Sequence, residues 1–191
     1  DIYKVSAEGG KPVRLTSHPG NETLLTVLED GSVVFSANIQ QDAQYGDFPG
    51  GSQVYRTGPD GGRPELVTSL QIADMSVAPD GTVIYEDYKG YEDPLRKHHT
   101  SSVTRDIWIC VPTAGPSDGL RIDGISIFTK LSSFKGEDRN PVFTPDGKAY
   151  YYLSEQDGTL NIYYSRIPEN VLVNEEIKPQ QITFYKGNPV R

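Results

Sequence analysis

Between Tyr91 and Trp108 the chain reads YEDPLRKHHTSSVTRDIW, which places two of its three histidines next to serines, carboxylates and basic side chains. Two of those types, Ser and His, make a hydrolytic nucleophile when the hydroxyl lies within hydrogen-bond reach of the imidazole. A third group must orient the ring, and backbone donors must face the developing oxyanion. Ser101 and Ser102 follow His98 and His99 by two to four residues in what reads as an extended stretch. Residues i and i+2 of a strand point the same way but sit roughly 6.5–7 Å apart, beyond a direct bond. No strand-to-helix elbow follows, so no catalytic residue is assigned. The stretch reads instead as a polar loop whose Thr100, Ser102 and Thr104 side chains bond local backbone, or as a surface that touches a ligand or peptide.

Other chemistry-bearing patterns are weaker. GPSDG at 115–119 matches the G-x-S-x-G nucleophile elbow. That elbow needs a helix after it, whereas Leu120–Lys130 reads as loop leading into a strand. Glu92-Asp93, Glu137-Asp138 and Glu175-Glu176 are adjacent carboxylates. Neighbours in an extended chain face opposite ways and are ordinarily solvated. His98 and His99 diverge for the same reason, so with Asp93 they make no metal site, and no cofactor is expected. Lys135-Gly136 and Lys186-Gly187 read as turns. Asn21-Glu22-Thr23 fits the glycosylation sequon, which matters only in a compartment that glycosylates.

What positions these residues follows from composition. The chain has 191 residues, 36% hydrophobic, with 19 Gly, 14 Pro and 12 Tyr. Many turn formers between half-apolar, Tyr-rich segments point to β structure. A net charge of −8 argues against nucleic acid, whose phosphates need a basic patch. No apolar run reaches the roughly 18–20 residues of a membrane-spanning helix. A lone cysteine, Cys110, excludes an internal disulfide and a CxxC metal site; within WICV it reads as a small buried hydrophobe.

Three anchors recur in a fixed order. DIYKV (1–5), QVYRT (53–57), DIWIC (106–110) and NIYYS (161–165) carry aromatics at Tyr3, Tyr55, Trp108 and Tyr163, spaced by 52, 53 and 55 residues. RLT, LVT, TKL and QIT follow, ending at Thr16, Thr68, Leu131 and Thr183. Between them lie EDG at 29–31 and PDG at 79–81 and 145–147, preceded by LLTVL, DMSVA and PVFT and followed by SVVFSA, TVIYED and KAYYYL. Asp-Gly favours tight hairpins, because Gly accepts positive φ and Asp bonds its own backbone. A four-stranded unit repeating near fifty residues predicts β-propeller blades.

DIYKVSAEGGKPVRLTSHPG, the PDG turns and FKGEDRNPVFTPDGKAYYYLSEQDG together resemble the TolB-like propeller blades of tricorn-type peptidases, and RKHHTSSVTRDIW resembles the tricorn-like propeller in particular. The resemblance covers essentially the whole chain. It implies a six-bladed and then a seven-bladed propeller in the parent, followed by a PDZ-like domain and a serine-peptidase core, and none of the peptidase core is in this sequence.

The expected fold is therefore all-β, a partial propeller of four-stranded antiparallel blades. Residues 1–16 supply a partial blade, 23–68, 72–131 and 141–183 three full blades, and 188–191 the stub of the next. Both ends fall within a repeat, which predicts a piece of a larger propeller whose open edges self-associate. From the turn Asp to the strand-three aromatic is 17 residues in the last blade but 25 and 28 in the two before it. Those two blades carry the insertions NIQQDAQYGDFPGG and YKGYEDPLRKHHTSS, on the face shared with the connections SHPGNE (17–22) and SSFKGEDRN (132–140). That places Arg96, Lys97, His98 and His99 with Glu137, Asp138 and Arg139 as a surface for peptide or partner contact. The resemblance implies a non-catalytic propeller segment that filters or guides peptides in a tricorn-like serine peptidase. The alternative is a TolB-like periplasmic propeller that binds protein partners with no peptidase attached. The TolB-like character suggests the periplasm; the archetypal tricorn works in the cytoplasm.

Overall fold

The computed structural model describes residues 1–39, 51–91, 100–112, 120, 122, 126–172 and 177–187. All regular structure among them is β-strand, so none of it is a helix long and apolar enough to cross a membrane. The chain divides into two compact units, residues 1–72 with 117–124, and residues 73–116 with 125–191.

In the first unit β1 (Tyr3–Lys4) pairs with β2 (Val13–Arg14). A four-stranded antiparallel meander follows, β3 (Glu22–Val27), β4 (Val33–Ala37), β5 (Gln53–Gly58) and β6 (Gly61–Thr68). The core gathers Leu15, Val33, Phe35, Ala37 and Tyr55. The second unit holds two such meanders. One is β7 (Ile72–Val77, which enters the unit at Ala73), β8 (Val83–Asp87), β9 (Ile107–Val111) and β10 (Ile127–Lys130). The other is β11 (Asp138–Phe143), β12 (Ala149–Ser154), β13 (Asn161–Arg166) and β14 (Gln180–Gln181). They pack through Ala78, Ile84, Ile107 and Ile109 from one sheet and Phe143, Tyr150, Tyr152 and Tyr163 from the other. Ile84, Ile107 and Ile109 are fully buried; truncating such a residue to Ala costs about 2–5 kcal/mol.

The repeat seen in the sequence is a repeat of geometry. Gly31, Gly81 and Gly147 stand at φ 80°, 87° and 69°, the left-handed region glycine enters without penalty. In each turn the preceding Asp accepts from the amide two residues on, Asp30 from Ser32 (2.8 Å), Asp80 from Thr82 (2.9 Å) and Asp146 from Lys148 (3.1 Å). The recurring aromatic of strand three faces an aromatic of strand two each time, Tyr55 opposite Phe35, Trp108 opposite Tyr85 and Tyr163 opposite Tyr152. Ring centroids lie 6.1 Å apart in the first pair and 5.8 Å in the last, within the range of favourable aromatic contact.

A second recurring device closes strand four onto strand three. The hydroxyls of Thr16, Ser132 and Thr183 accept from the amides of Ile2 (2.8 Å), Ile107 (3.0 Å) and Ile162 (2.8 Å). The sequence reading ended the third copy at Leu131; the hydroxyl in the slot belongs to the next residue, Ser132, within the run KLS. Strand one also starts earlier than its apolar run suggested, since β11 takes in Asp138, Arg139 and Asn140, assigned above to a connection. Bulges between Leu24 and Thr26 and between Arg139 and Val142 displace the pairing there and interrupt the alternation by which a strand is read. Cys110 is buried, as WICV implied.

Candidate functional site: a salt-bridged corner in the second unit

In the second unit β8 ends, β9 begins, β11 begins and β12 ends around one corner, and charged side chains fill it. Glu86, the fourth residue of β8, has a side chain with no exposure. Its Oε1 takes an ion pair from Arg105 Nη1, and its Oε2 accepts the amide of Asn140 at 2.7 Å. Asn140 is the only non-glycine residue at positive φ (51°) among the described residues. Asn tolerates that region better than most side chains. Its Nδ2 donates to Asp74 Oδ2 at 2.8 Å.

Arg105 joins the two sheets. Its amide donates to Glu137 Oε2 at 3.2 Å, and its Nε lies 3.8 Å from Glu137 Oε1. Its carbonyl accepts from Asp138 N–H at 3.1 Å, and its guanidinium stands 6.0 Å from the centroid of the Tyr88 ring. Glu137 is held in turn by Glu155, whose Oε1 accepts its amide at 3.1 Å. Beside this lies a second set of ion pairs. Asp87 accepts from Asp106 N–H at 2.8 Å and from Trp108 Nε1 at 3.0 Å. Lys89 Nζ reaches Asp106 Oδ2 at 2.5 Å and the Thr104 carbonyl at 2.7 Å, and Lys130 reaches Asp106 Oδ1 at 2.8 Å. Lys89 and Lys130 hold the Asp106 carboxyl below the usual carboxylate range, against the burial that opposes them. Burial pushes Glu86 the other way, with Arg105 and the Asn140 amide countering it.

Arg96, Lys97, His98 and His99 lie outside the described residues, as do Glu92-Asp93, the 115–119 motif and Glu175-Glu176. Glu137, Asp138 and Arg139 are described. The expectation that the adjacent carboxylates are solvated is corrected for this pair: Glu137 is 4% and Asp138 1% exposed. Both sit where the start of β11 meets Arg105 at the entry to β9 and Glu155 at the end of β12. Arg139 keeps 26% of its side chain exposed, with Nη1 4.0 Å from Glu137 Oε1. In the 100–104 stretch the backbone is bonded by Ser101 and Thr104. Ser101 Oγ accepts from Val103 N–H at 3.1 Å, and Thr104 Oγ1 donates to the Ser101 carbonyl at 2.8 Å. Ser102, expected in that role, is exposed.

Sequence reasoning missed Glu86, Arg105 and Asn140. The signal was present in β8, where VIYED sets Glu86 on the same strand face as Ile84. Among the described residues no group of three or more His, Cys, Asp or Glu side chains fits a metal ion. The corner is a set of paired charges where the chain leaves β8 and enters β9.

No family model and no curated protein matches the chain. Solved structures do. The crystal structure of the tricorn protease matches 99% of this chain and 16% of its own, at 19% identity and a TM-score of 0.68. A structure from Agrobacterium tumefaciens described as TolB matches over 96% of this chain and 55% of its own, at 19% identity and 0.61. TolB from Acinetobacter baumannii matches over 95% and 37%, at 16% and 0.60. The fold is thus that of a TolB- and tricorn-like β-propeller, and the chain spans from about a sixth to just over half of these structures.

Proposed function

We propose that this chain is a non-catalytic propeller segment of a tricorn-like serine peptidase, and that it contributes peptide access to an active site carried elsewhere in the polypeptide. The observation that supports this reading is the likeness in fold to the tricorn protease over 99% of the chain. The clamped corner adds to it. Lys89 and Arg105, on either side of the segment that bears Arg96, Lys97, His98 and His99, are both bound into ion pairs. A binding loop on fixed stems loses less entropy when it meets a peptide. In this reading those four residues and Arg139 touch the peptide, while Glu137 and Asp138, 4% and 1% exposed, are too buried to do so. The open edges of a partial propeller bring copies together, and a monomer in light scattering at micromolar concentration would count against that association.

Fluorescence anisotropy with a library of short labelled peptides tests the reading. The expected result is saturable binding that weakens at least tenfold in Arg96→Ala/Lys97→Ala and His98→Ala/His99→Ala, with no peptide cleaved. Cleavage by the purified chain that the double histidine substitution abolishes would overturn it.

A second reading rests on the TolB likeness over 96% of the chain: a periplasmic propeller that binds protein partners and has no peptidase attached. The intact mass of the native polypeptide separates the two, because a serine-peptidase core adds a large domain. The first reading carries either a periplasmic or a cytoplasmic location; fractionation of the native source decides between them.

A further inference from the structure

Asp138 is the first residue of β11 and 1% exposed. Its amide donates to the Arg105 carbonyl, so its backbone is part of the joint between the two sheets of the second unit. Its carboxyl has far less support. The Ser154 hydroxyl bonds it, and Oδ1 is buried with no hydrogen-bond partner. Groups from several neighbouring elements act on this carboxyl. Asp106 stands at the entry to β9, Lys130 on β10, Glu137 beside it in the chain, Tyr150 and Tyr152 on β12, and Tyr163 on β13. Lys130 is the one cation among these, and its ammonium is already engaged by Asp106 at 2.8 Å. Both nearby carboxylates repel a second negative charge. An ionised Asp138 in this place is a buried charge with one hydroxyl donor, which is costly.

We propose that Asp138 makes the joint between the β7–β10 and β11–β14 sheets sensitive to pH: closed while its carboxyl carries a proton, and loosened once the proton is lost. Ionisation draws water to the carboxyl. The chain from Glu137 to Asn140 then parts more readily from Arg105 and Glu86, the two groups that fix the corner. The direction of titration agrees, since burial first, with Asp106 and Glu137 adding to it, pushes the carboxyl up to about 7 against the Ser154 hydroxyl and Lys130. A carboxyl that ionises at about 4 in the open state and near 7 in the closed one favours the closed state fully below the lower value. That preference declines through the interval and is gone above about 7. The joint is therefore tight on the acid side and loose on the alkaline side of neutrality.

Hydrogen exchange of the whole chain between about pH 5 and 8, corrected for the intrinsic pH dependence of exchange, tests this. The reporters are the amides of Asp138, Asn140 and Glu155, which donate to Arg105, Glu86 and Glu137. Their protection should fall at least tenfold across that range in the unaltered chain and stay level in Asp138→Asn. A flat profile in the unaltered chain overturns the proposal, and so does an equal fall in Asp138→Asn. If Asp138→Asn does not fold, the carbon-13 shift of the Asp138 carboxyl in the unaltered chain decides. A midpoint near 7 supports the proposal, and one near 4, the ordinary value for Asp, overturns it.

Discussion

The amide of Asn140, in β11, donates to Glu86 Oε2, in β8, at 2.7 Å. The bond joins two sheets, and β11 bulges where it forms, with Asn140 at φ 51°. Asn140→Gly keeps that backbone and loses only the side-chain bond to Asp74, so its cost should stay near 1 kcal/mol. Asn140→Val places a β-branched residue at positive φ, where strain adds roughly 1–3 kcal/mol. Urea unfolding of both variants checks the order. A valine variant as stable as the glycine one would show that the bulge does not constrain this residue.

Glu86 holds Arg105 and the Asn140 amide from a fully buried side chain. Glu86→Ala removes both bonds and leaves a guanidinium without its closest counter-charge, a loss of about 3 kcal/mol for a buried pair broken on one side. Glu86→Gln keeps an acceptor and should cost less. Adding Arg105→Met to Glu86→Ala should recover part of the loss, because the stranded charge is then gone. A double-mutant cycle measures this; additive costs would mean the two side chains are not coupled.

The fold was legible because its anchors are local. Asp-Gly turns and β-branched or aromatic runs act within a few residues, and each recurs three times or more. The corner was not legible, because Glu86, Arg105 and Asn140 are brought together from residues 19 to 54 positions apart. What signals them in the sequence is Glu86, one of two carboxylates in VIYED, and one asparagine before a proline, and in an isolated strand both pass for solvent-facing side chains. The bulges added to this. The one in β11 breaks the alternation by which that strand is read, and Glu137 stands just before the strand, where no alternation would set it against Asp138. Ser132 escapes the sequence pattern for a different reason: TKL lines up with RLT, LVT and QIT on its apolar residue Leu131, one position short of the hydroxyl that makes the bond.

Asp106 should give stability an acid limb. Lys89 and Lys130 engage its carboxyl, and its ionisation is held below the usual carboxylate range. A depressed carboxyl favours the folded state above the unfolded value, near 4, and that contribution is lost as pH falls through the folded value. Asp106→Asn should therefore be less stable at pH 7 and lose less between about pH 4 and 2 than the unaltered chain. Thermal unfolding across that range reads both. Parallel acid limbs in the two proteins would place the acid sensitivity elsewhere.

Ser132 closes strand four onto strand three, accepting the Ile107 amide and donating to Asp106 Oδ1, each at 3.0 Å. It is 9% exposed, so water has little room to replace it. Ser132→Ala leaves the Ile107 amide without that acceptor and should cost about 1–3 kcal/mol. Ser132→Thr should cost under about 1 kcal/mol, because Thr16 and Thr183 make the same bond in the same slot and an added methyl is the only demand on packing. The contrast isolates the hydroxyl: equal losses for Ala and Thr, read by urea unfolding at pH 7, would show that volume at this position matters and the bond does not.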